Sequence, residues 1–260
     1  MNTLEGKVIV VTGASRGLGE AISVGFAAEG ATVVLAARTE SDLERVAERC
    51  RQAGAASVLT VRTDITQEAD VEALAQAALD RFGRLDVFVA DAGVSPLSLS
   101  GTQPRRLQDY ELDVVRQMFA VNAIGMWLCM KAAFARMSEG GSFIAIGSGS
   151  PGSARGGMLS VTKSCVDLLV SIGAAELSEK HVRVNCLAPG GMVDTRLFGP
   201  DGMPDYLKHL PSVTEPESIV GAAVWLASPD SAGISGIQLT GTEFNATGVD
   251  GVRARLRSAA

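Results

Sequence analysis

Short runs of apolar residues alternate along the chain with longer segments in which apolar positions recur every three or four residues. The short runs are rich in Val and Ile and carry few charges, which is typical of strands buried on both faces. Six such runs predict strands: Val8–Val11, Thr32–Ala37, Val58–Val61, Val87–Ala90, Phe143–Ile146 and Val182–Leu187.

The segments between these runs have the spacing of amphipathic helices. They cover Leu18–Ala28, Ser41–Arg51 with Ser41 as the N-cap, Thr66–Phe82, and the long apolar segments Val114–Ala135 and Met158–Leu177. Strands that alternate with helices in this way predict an α/β fold. We expect a doubly wound, Rossmann-like parallel sheet of about seven strands, with right-handed crossovers and helices on both faces.

The chain of 260 residues contains no internal repeat and no linker long enough to divide it. We therefore predict a single dinucleotide-binding domain over residues 1–260. Two loops rich in Gly, Pro and Ser, at about 94–106 and 189–211, follow the carboxyl ends of predicted strands. Open α/β sheets bind ligands at that edge, so both loops are predicted to contact a small-molecule substrate.

Composition narrows the class of protein. The formal net charge of −6 argues against a nucleic-acid partner, which would need a basic surface. The first apolar run is too short for a signal peptide or a membrane span, so we expect a cytoplasmic protein with no membrane partner. The four cysteines form no CxxC pair and are expected to be free thiols, without a metal site. The arginine-rich C-terminus is expected to be a solvated tail or a subunit contact.

A glycine-rich segment directly follows the first predicted strand and opens the first predicted helix. Its glycines are Gly13, Gly17 and Gly19, and Ser15, Arg16 and Leu18 lie between them. Glycines there allow a tight turn and a close approach of the backbone to a diphosphate. The helix start adds free N–H groups and the positive end of its dipole. These six residues are therefore predicted to bind a dinucleotide.

The end of the second predicted strand indicates which dinucleotide is bound. NAD-binding proteins usually place an acidic residue there, for the ribose hydroxyls. This chain has Ala37 followed by Arg38, and Arg16 lies in the glycine turn. Two guanidinium groups suit a 2′-phosphate, so we predict NADP(H) rather than NAD(H). The alternative is that either arginine is an ordinary surface residue.

The spacing Gly13-x-x-x-Gly17-x-Gly19, followed by Arg38, resembles that of the short-chain dehydrogenase/reductase family, and further motifs follow in family order over residues 5–240. The resemblance implies that Asp64 and Ile65 contact the adenine and that Ala92 and Gly93 close the fourth strand beside the cofactor. It also implies that Pro189, Gly190 and Met192 contact the nicotinamide end. The catalytic residues that it implies are Asn122, Ser148 and Lys163, of which Lys163 also contacts the cofactor. A homodimer or homotetramer, paired through the two long apolar helices, is implied as well.

The position of the catalytic tyrosine departs from the family pattern. The family's Tyr-x-x-x-Lys motif puts a tyrosine four residues before the catalytic lysine, and here that position is Leu159. A leucine cannot give or take a proton. The replacements we consider are Tyr206, Ser160, Asp91 and a water relayed through Ser148, Lys163 and Asn122. Tyr110 is expected to lie away from the cofactor. The segment after Ser148 is about two residues shorter than in the family, so Ser150 can take the serine's place.

Three functions fit these residues. The first is an NADP(H)-dependent oxidoreductase that interconverts a carbonyl and an alcohol on a small molecule, with a non-standard proton donor. The second is a catalytically silent NADP(H)-binding protein, which Leu159 favours. The third is a redox-neutral isomerase or dehydratase on the same scaffold, with Asp91 or Lys163 as its base.

Overall fold

Parallel strands and helices alternate along the chain in this computed structural model. The structure describes residues 2–104, 106–148, 156–199 and 201–259, with only the backbone at 206 and 259. The strands described are β1 (Val8–Thr12), β2 (Thr32–Ala37), β3 (Ser57–Arg62), β4 (Val87–Ala90), β5 (Ser142–Ile146), β6 (Arg183–Ala188), β7 (Met192–Val193), β8 (Val213–Thr214) and β9 (Gln238–Thr240). The helices described are α1 (Gly17–Ala28), α2 (Glu40–Ala53), α3 (Glu68–Phe82), α4 (Pro96–Ser100), α5 (Leu112–Phe119), α6 (Met126–Arg136), α7 (Gly157–Glu176), α8 (Asp205–Lys208), α9 (Val220–Ala227) and α10 (Gly241–Ala259).

Seven of these strands form one parallel sheet in the order β3-β2-β1-β4-β5-β6-β9. The order reverses between β1 and β4, where Thr12 pairs with Ala36 on one side and with Ala90 on the other. Ligands bind outside the carboxyl ends of the strands at such a switch point. The fold class predicted from the sequence is confirmed. The prediction of one domain over 1–260 stays a prediction, which the spread of this sheet over residues 8–240 favours.

Two apolar layers cover the faces of the sheet. On one face α1, α2 and α9 bury Phe26, Leu43 and Leu226 against the strands. On the other face α3, α6 and α7 bury Leu74 and Val166, among others. Burying a large apolar side chain contributes about 1.5–3 kcal/mol, so this packing holds the strands and their carboxyl-end loops in place.

Two local predictions were wrong. The N-cap of α2 is Thr39 and not Ser41, because Glu40 and Ser41 already have helical conformation. The arginine-rich C-terminus is not a solvated tail, since it forms helix α10, in which Val252 is fully buried. The backbone of α10 is kinked at Gly248, and the Arg255 Nε atom after the kink lies 2.6 Å from Glu243 Oε1 before it. The alternative prediction of a subunit contact for this end stays a prediction.

The two predicted substrate loops meet at the carboxyl edge of the sheet. The loop at 94–106 contains α4, which Ser95 and Ser98 cap reciprocally at its start. The loop at 189–211 contains β7, a 3₁₀ turn at Arg196–Phe198 and α8. The hydroxyl of Ser95 donates a hydrogen bond to the carbonyl oxygen of Leu197, which ties one loop to the other.

Two long helices flank the site on the same face of the sheet. A π-helical turn at Ala120–Gly125 joins α5 to α6, so the helix runs unbroken over Leu112–Arg136. This helix and α7 are each long and apolar enough, by length and composition, to cross a membrane. In the fold both pack on the sheet, and half and a third of their most apolar windows are buried.

Candidate cofactor and active site

The glycine-rich turn between β1 and α1 has the conformation that a dinucleotide site needs. Gly13 and Gly17 have φ values of 71° and 58°, which other residues rarely adopt. A Cβ built on Gly13 would lie 2.8 Å from the amide nitrogen of Ala92, so only glycine fits there. The N-cap residue Arg16 does not cap α1 with its side chain, so the amides of Gly17 and Leu18 have no side-chain partner among the described residues and suit a phosphate. The turn therefore fits the cofactor that the sequence predicts.

The buried carboxylate of Asp91 packs against this glycine turn and accepts a hydrogen bond from it. The amide of Gly19 donates a hydrogen bond to Asp91, and a Cβ built on Gly19 would lie 2.7 Å from Asp91 Oδ2. Burial raises the pKa of Asp91 to about 7, although the charge of Lys163 and the Gly19 hydrogen bond both lower it. Asp91 thus links the end of β4 to the glycine turn, which agrees with its interpretation as a structural acceptor.

Three guanidinium groups lie near the glycine turn. They belong to Arg16, Arg38 and Arg196, and among the described residues none of them forms an ion pair or a side-chain hydrogen bond. Burial lowers the pKa of Arg16, and the positive charges of Arg196 and Arg38 lower it further. Unpaired like charges at close range are unfavourable, so the arrangement suits a bound polyanion.

The predicted adenine residues follow β3. The Asp64 carboxylate accepts hydrogen bonds from the backbone amide of Thr66 at 3.0 Å and from its hydroxyl at 2.8 Å. Burial acts to raise the pKa of Asp64, but these hydrogen bonds and the charges of Arg38 and Arg62 lower it overall. The buried Ile65 packs its Cδ1 atom against Gly125 in the π-helical turn. Both residues therefore lie at the same sheet edge as Arg38.

Asn122 and Lys163 meet beside Gly93. The Asn122 amide is 1% exposed; its Nδ2 donates to Val94 O at 2.8 Å, and its Oδ1 accepts from Val94 N at 2.9 Å. The ammonium of Lys163 donates to Ile146 O at 2.7 Å. A Cβ built on Gly93 would lie 3.4 Å from Asn122 Oδ1 and 3.5 Å from Lys163 Nζ. The structure thus brings three of the predicted site residues together.

Burial controls the charge of the lysine. It lowers the pKa of Lys163, while the nearby groups of Asp91, Cys186 and Asp167 act to raise it. Asp167 lies one helical turn further along α7, and its Oδ1 accepts a hydrogen bond from Gln238 Nε2 at 3.1 Å. The ammonium at the end of β5 is therefore influenced electrostatically by two carboxyl groups.

Ser148 follows β5 two residues after Ile146. Its carbonyl oxygen lies 3.4 Å from Gln238 Nε2, which joins this segment to β9. Ser148 is partly buried at the same edge as Lys163. Ser150, the alternative serine, lies outside the described residues.

Leu159 lies in the first turn of α7, one turn before Lys163. A phenol oxygen lies close by, since the Tyr110 hydroxyl accepts a hydrogen bond from the Met158 amide at 3.2 Å. The expectation that Tyr110 lies away from the cofactor stays a prediction; the structure puts the Tyr110 hydroxyl at the backbone of Met158, the residue before Leu159. Tyr206 lies in α8, where the structure describes its backbone alone.

The segment after β6 is held from two sides. Gly190 has a φ of 85°, and the Thr242 amide donates to Pro189 O at 3.3 Å. The Met192 amide donates to Ser212 O at 2.9 Å, beside the short β7–β8 pair. These contacts fix Pro189, Gly190 and Met192 at the carboxyl edge of the sheet, directly after β6.

Comparisons with known proteins agree with this geometry. Residues 7–202 match the sequence profile of the family described as short chain dehydrogenase. The chain belongs to the short-chain dehydrogenase family. Over 97% of its length this short-chain dehydrogenase is 33% identical to an uncharacterized oxidoreductase of Methylorubrum extorquens, of which it covers 100%. It is 32% identical to the L-fucose dehydrogenase of Oryctolagus cuniculus, with 94% of this chain and 84% of that protein covered.

Among solved structures, the carveol dehydrogenase of Mycobacterium avium in complex with NAD has a TM-score of 0.80 and is 27% identical. That likeness covers 92% of this chain and 97% of the other. The chain is therefore a short-chain dehydrogenase, an oxidoreductase of a family that acts on small-molecule alcohols and carbonyls with nicotinamide cofactors.

Sequence reasoning missed two residues of this short-chain dehydrogenase. Arg196 reaches the glycine turn from the loop at 189–211, and Tyr110 reaches the start of α7 from the segment before α5. Neither residue belongs to a motif. The only signal in the sequence was their position, since Tyr110 and Arg196 lie in segments that follow the carboxyl ends of strands.

Proposed function

We propose that this short-chain dehydrogenase is an NADP(H)-dependent oxidoreductase that interconverts a carbonyl and an alcohol on a small molecule, with a proton donor other than residue 159. The observation that carries the proposal is the cluster of unpaired guanidinium groups beside the glycine turn. At the end of β2, Ala37 occupies the place where an NAD-specific site would have an acidic residue, and Arg38 follows it. The related carveol dehydrogenase was solved with NAD, so the preference for NADP(H) rests on the arginines of this chain.

The residues of the chain have distinct proposed roles. The glycine turn and the start of α1 bind the diphosphate, Arg16 and Arg38 bind the 2′-phosphate, and Asp64 and Ile65 border the adenine. The bound cofactor supplies or accepts the hydride. Lys163, held at Ile146 O, orients the nicotinamide end, and Ser148 donates a hydrogen bond to the substrate oxygen. Asn122 holds the loop after β4 in place through its two hydrogen bonds to the Val94 backbone.

The proton donor is to be sought among several groups. Tyr110 is the first candidate, because its phenol lies one residue from Leu159 and a phenol is a stronger acid than the Ser160 hydroxyl. Asp91 is a weaker candidate, because its carboxylate already accepts from Gly19 beneath the glycine turn. Tyr206 and a water relayed through Ser148, Lys163 and Asn122 are the other candidates.

The Arg38→Gln variant tests the cofactor preference. It is expected to bind NADPH about 10-fold to 100-fold more weakly and NADH about equally well, because a charge-assisted hydrogen bond is worth about 1.5–3 kcal/mol. Isothermal titration of both dinucleotides measures the two dissociation constants. Arg51→Gln is the control, since Arg51 pairs with Glu48 on the exposed side of α2. Tighter binding of NADH than of NADPH by the wild type contradicts the NADP(H) proposal.

A catalytically silent NADP(H)-binding protein is the second candidate function, and Leu159 favours it. It predicts that NADPH raises the melting temperature while no hydride transfer occurs with ketones, diketones or quinones. An assay of the wild type distinguishes the two functions, because NADPH oxidation that depends on such a substrate would rule out a catalytically silent protein. Product formation without a net change in NADPH would instead support an isomerase or dehydratase.

We also propose a homodimer or homotetramer, working in the cytoplasm. An apolar surface on α6, α7 and the π-helical turn supports the oligomer: Trp127 is 48% exposed and Leu168 64% exposed. Between them lies a shallow cavity of about 320 Å³ lined by Ala123, Ile124, Trp127, Cys165, Leu168, Leu169 and Ile172. Soluble monomers rarely expose an apolar patch of this kind.

The Leu168→Glu variant tests the oligomer. A charge in the centre of the apolar surface is expected to convert the wild-type dimer or tetramer into a smaller species, because a buried unpaired charge is very unfavourable. Light scattering coupled to size-exclusion chromatography gives the mass. Leu210→Glu is the matched control, since Leu210 is 42% exposed but lies outside both helices. A monomeric wild type would refute the proposal.

A further inference from the structure

We propose that Arg196 binds the diphosphate of the cofactor and so links cofactor binding to the arrangement of the two substrate loops. This inference rests on the proposed function. It assigns to Arg196 a contact distinct from that of Arg38, which serves the 2′-phosphate. Arg196 is thus a binding residue that no motif of the sequence indicates.

Arg196 lies on the wall of the cavity at the start of α1. The cavity has a volume of about 510 Å³, and Arg16, Gly17, Ala21 and Thr195 line it together with Arg196. The Thr195 methyl carbon is 3.0 Å from a Cβ built on Gly17, so the segment that carries Arg196 touches the phosphate-binding turn itself. A diphosphate on the free N–H groups of α1 would therefore lie next to Arg196.

The charges around the cavity leave Arg196 available for an anion. Arg49 is already paired with Glu20, which also pairs with Arg45 at 2.6 Å. Asp194 is paired with Lys208 at 3.5 Å and accepts a hydrogen bond from the Met203 amide at 2.8 Å.

Two further carboxylates, of Asp201 and Glu217, line the cavity, but both are exposed and neither lies within 4.0 Å of a described basic side chain. The charge of Arg196 lowers the pKa of Arg16 more than the charge of Arg38 does. A polyanion between Arg16 and Arg196 relieves this repulsion.

The same turn ties Arg196 to both loops. The Thr195 hydroxyl accepts from the Leu197 amide at 3.3 Å, and the Leu197 carbonyl accepts from the Ser95 hydroxyl in the loop at 94–106. Arg196 lies between these two bonds. A phosphate held by Arg196 therefore restrains the 3₁₀ turn at Arg196–Phe198 and, through Ser95, the start of α4.

The test compares dissociation constants for NADPH and NADH in wild type, Arg196→Gln, Arg196→Lys and Arg38→Gln. Both dinucleotides carry the diphosphate, so Arg196→Gln is expected to weaken both by about the same factor, 10-fold or more. Arg38→Gln is expected to weaken NADPH alone. Arg196→Lys keeps the charge and is expected to restore part of the affinity. Arg49→Gln is the matched control on the same cavity wall, because the Arg49 guanidinium is held in an ion pair with Glu20.

Hydrogen exchange provides a readout of the loop. NADPH is expected to slow amide exchange at residues 195–199 and 95–98 in the wild type but not in Arg196→Gln. Affinities of Arg196→Gln equal to those of Arg49→Gln overturn the inference, as does a loss confined to NADPH, which would assign Arg196 to the 2′-phosphate. A wild type that binds neither dinucleotide overturns the proposed function itself. Arg196 is exposed, so unchanged melting temperatures of the free variants verify their folding.

Discussion

Leu159→Tyr is expected to raise kcat for NADPH-dependent reduction of a simple ketone by about 100-fold or more, the usual contribution of a positioned general acid. Position 159 lies one helical turn before Lys163, so a phenol there shares a helix face with the ammonium. The buried ammonium favours the ionised phenol and lowers its pKa. The measurement is steady-state NADPH oxidation at saturating cofactor, over pH 6–9.

Two further variants make this result specific. Leu159→Phe adds the same ring without the hydroxyl and is expected to show no gain, which separates proton transfer from pocket shape. Tyr110→Phe tests the present donor: if Tyr110 serves the reaction, kcat falls by about 10-fold to 100-fold. An unchanged kcat in Tyr110→Phe would leave the Tyr110 hydroxyl as a cap of α7 only. Equal gains in Leu159→Tyr and Leu159→Phe would refute the acid–base explanation.

The free energy of unfolding of Asp91→Asn, measured relative to that of the wild type, is expected to be higher at pH 8 than at pH 5. The pKa of Asp91 is about 7 in the folded protein, against 3.8 for a freely solvated aspartate side chain. Between these values the folded state keeps a proton that the unfolded state has released, so stability decreases as pH rises. From pH 5 to pH 8 the wild type is expected to lose about 3 kcal/mol that the variant keeps.

Urea unfolding of both proteins at the two pH values measures this difference. Asp113→Asn is the control, because Asp113 is exposed on α5 and pairs only with Arg116 among the described residues. The same variant tests a catalytic role for Asp91. An asparagine oxygen can still accept from Gly19, so retained turnover supports a structural acceptor. A parallel loss of stability in wild type and variant would contradict the buried proton.

The sequence determined the architecture because the relevant information is local. Apolar runs such as Thr32–Ala37 and Val87–Ala90 form strands with the predicted bounds, since buried parallel strands need continuous apolar residues. The glycine turn was also predictable, because positive φ values at Gly13 and Gly17 need glycine. The order of motifs then indicated the family, while the NADP(H) preference that Arg38 predicts stays a prediction.

Only the tertiary structure decided how distant segments meet at the switch point. Arg196 and Tyr110 belong to no periodic pattern, and their partners lie about 180 and 48 residues away along the chain. Asp91 had several interpretations in the sequence, and its hydrogen bond from Gly19 supports that of a structural acceptor. Helical periodicity identifies an apolar face but not what covers it, so the exposed surface around Trp127 and Leu168 became visible only once the helices were packed on the sheet.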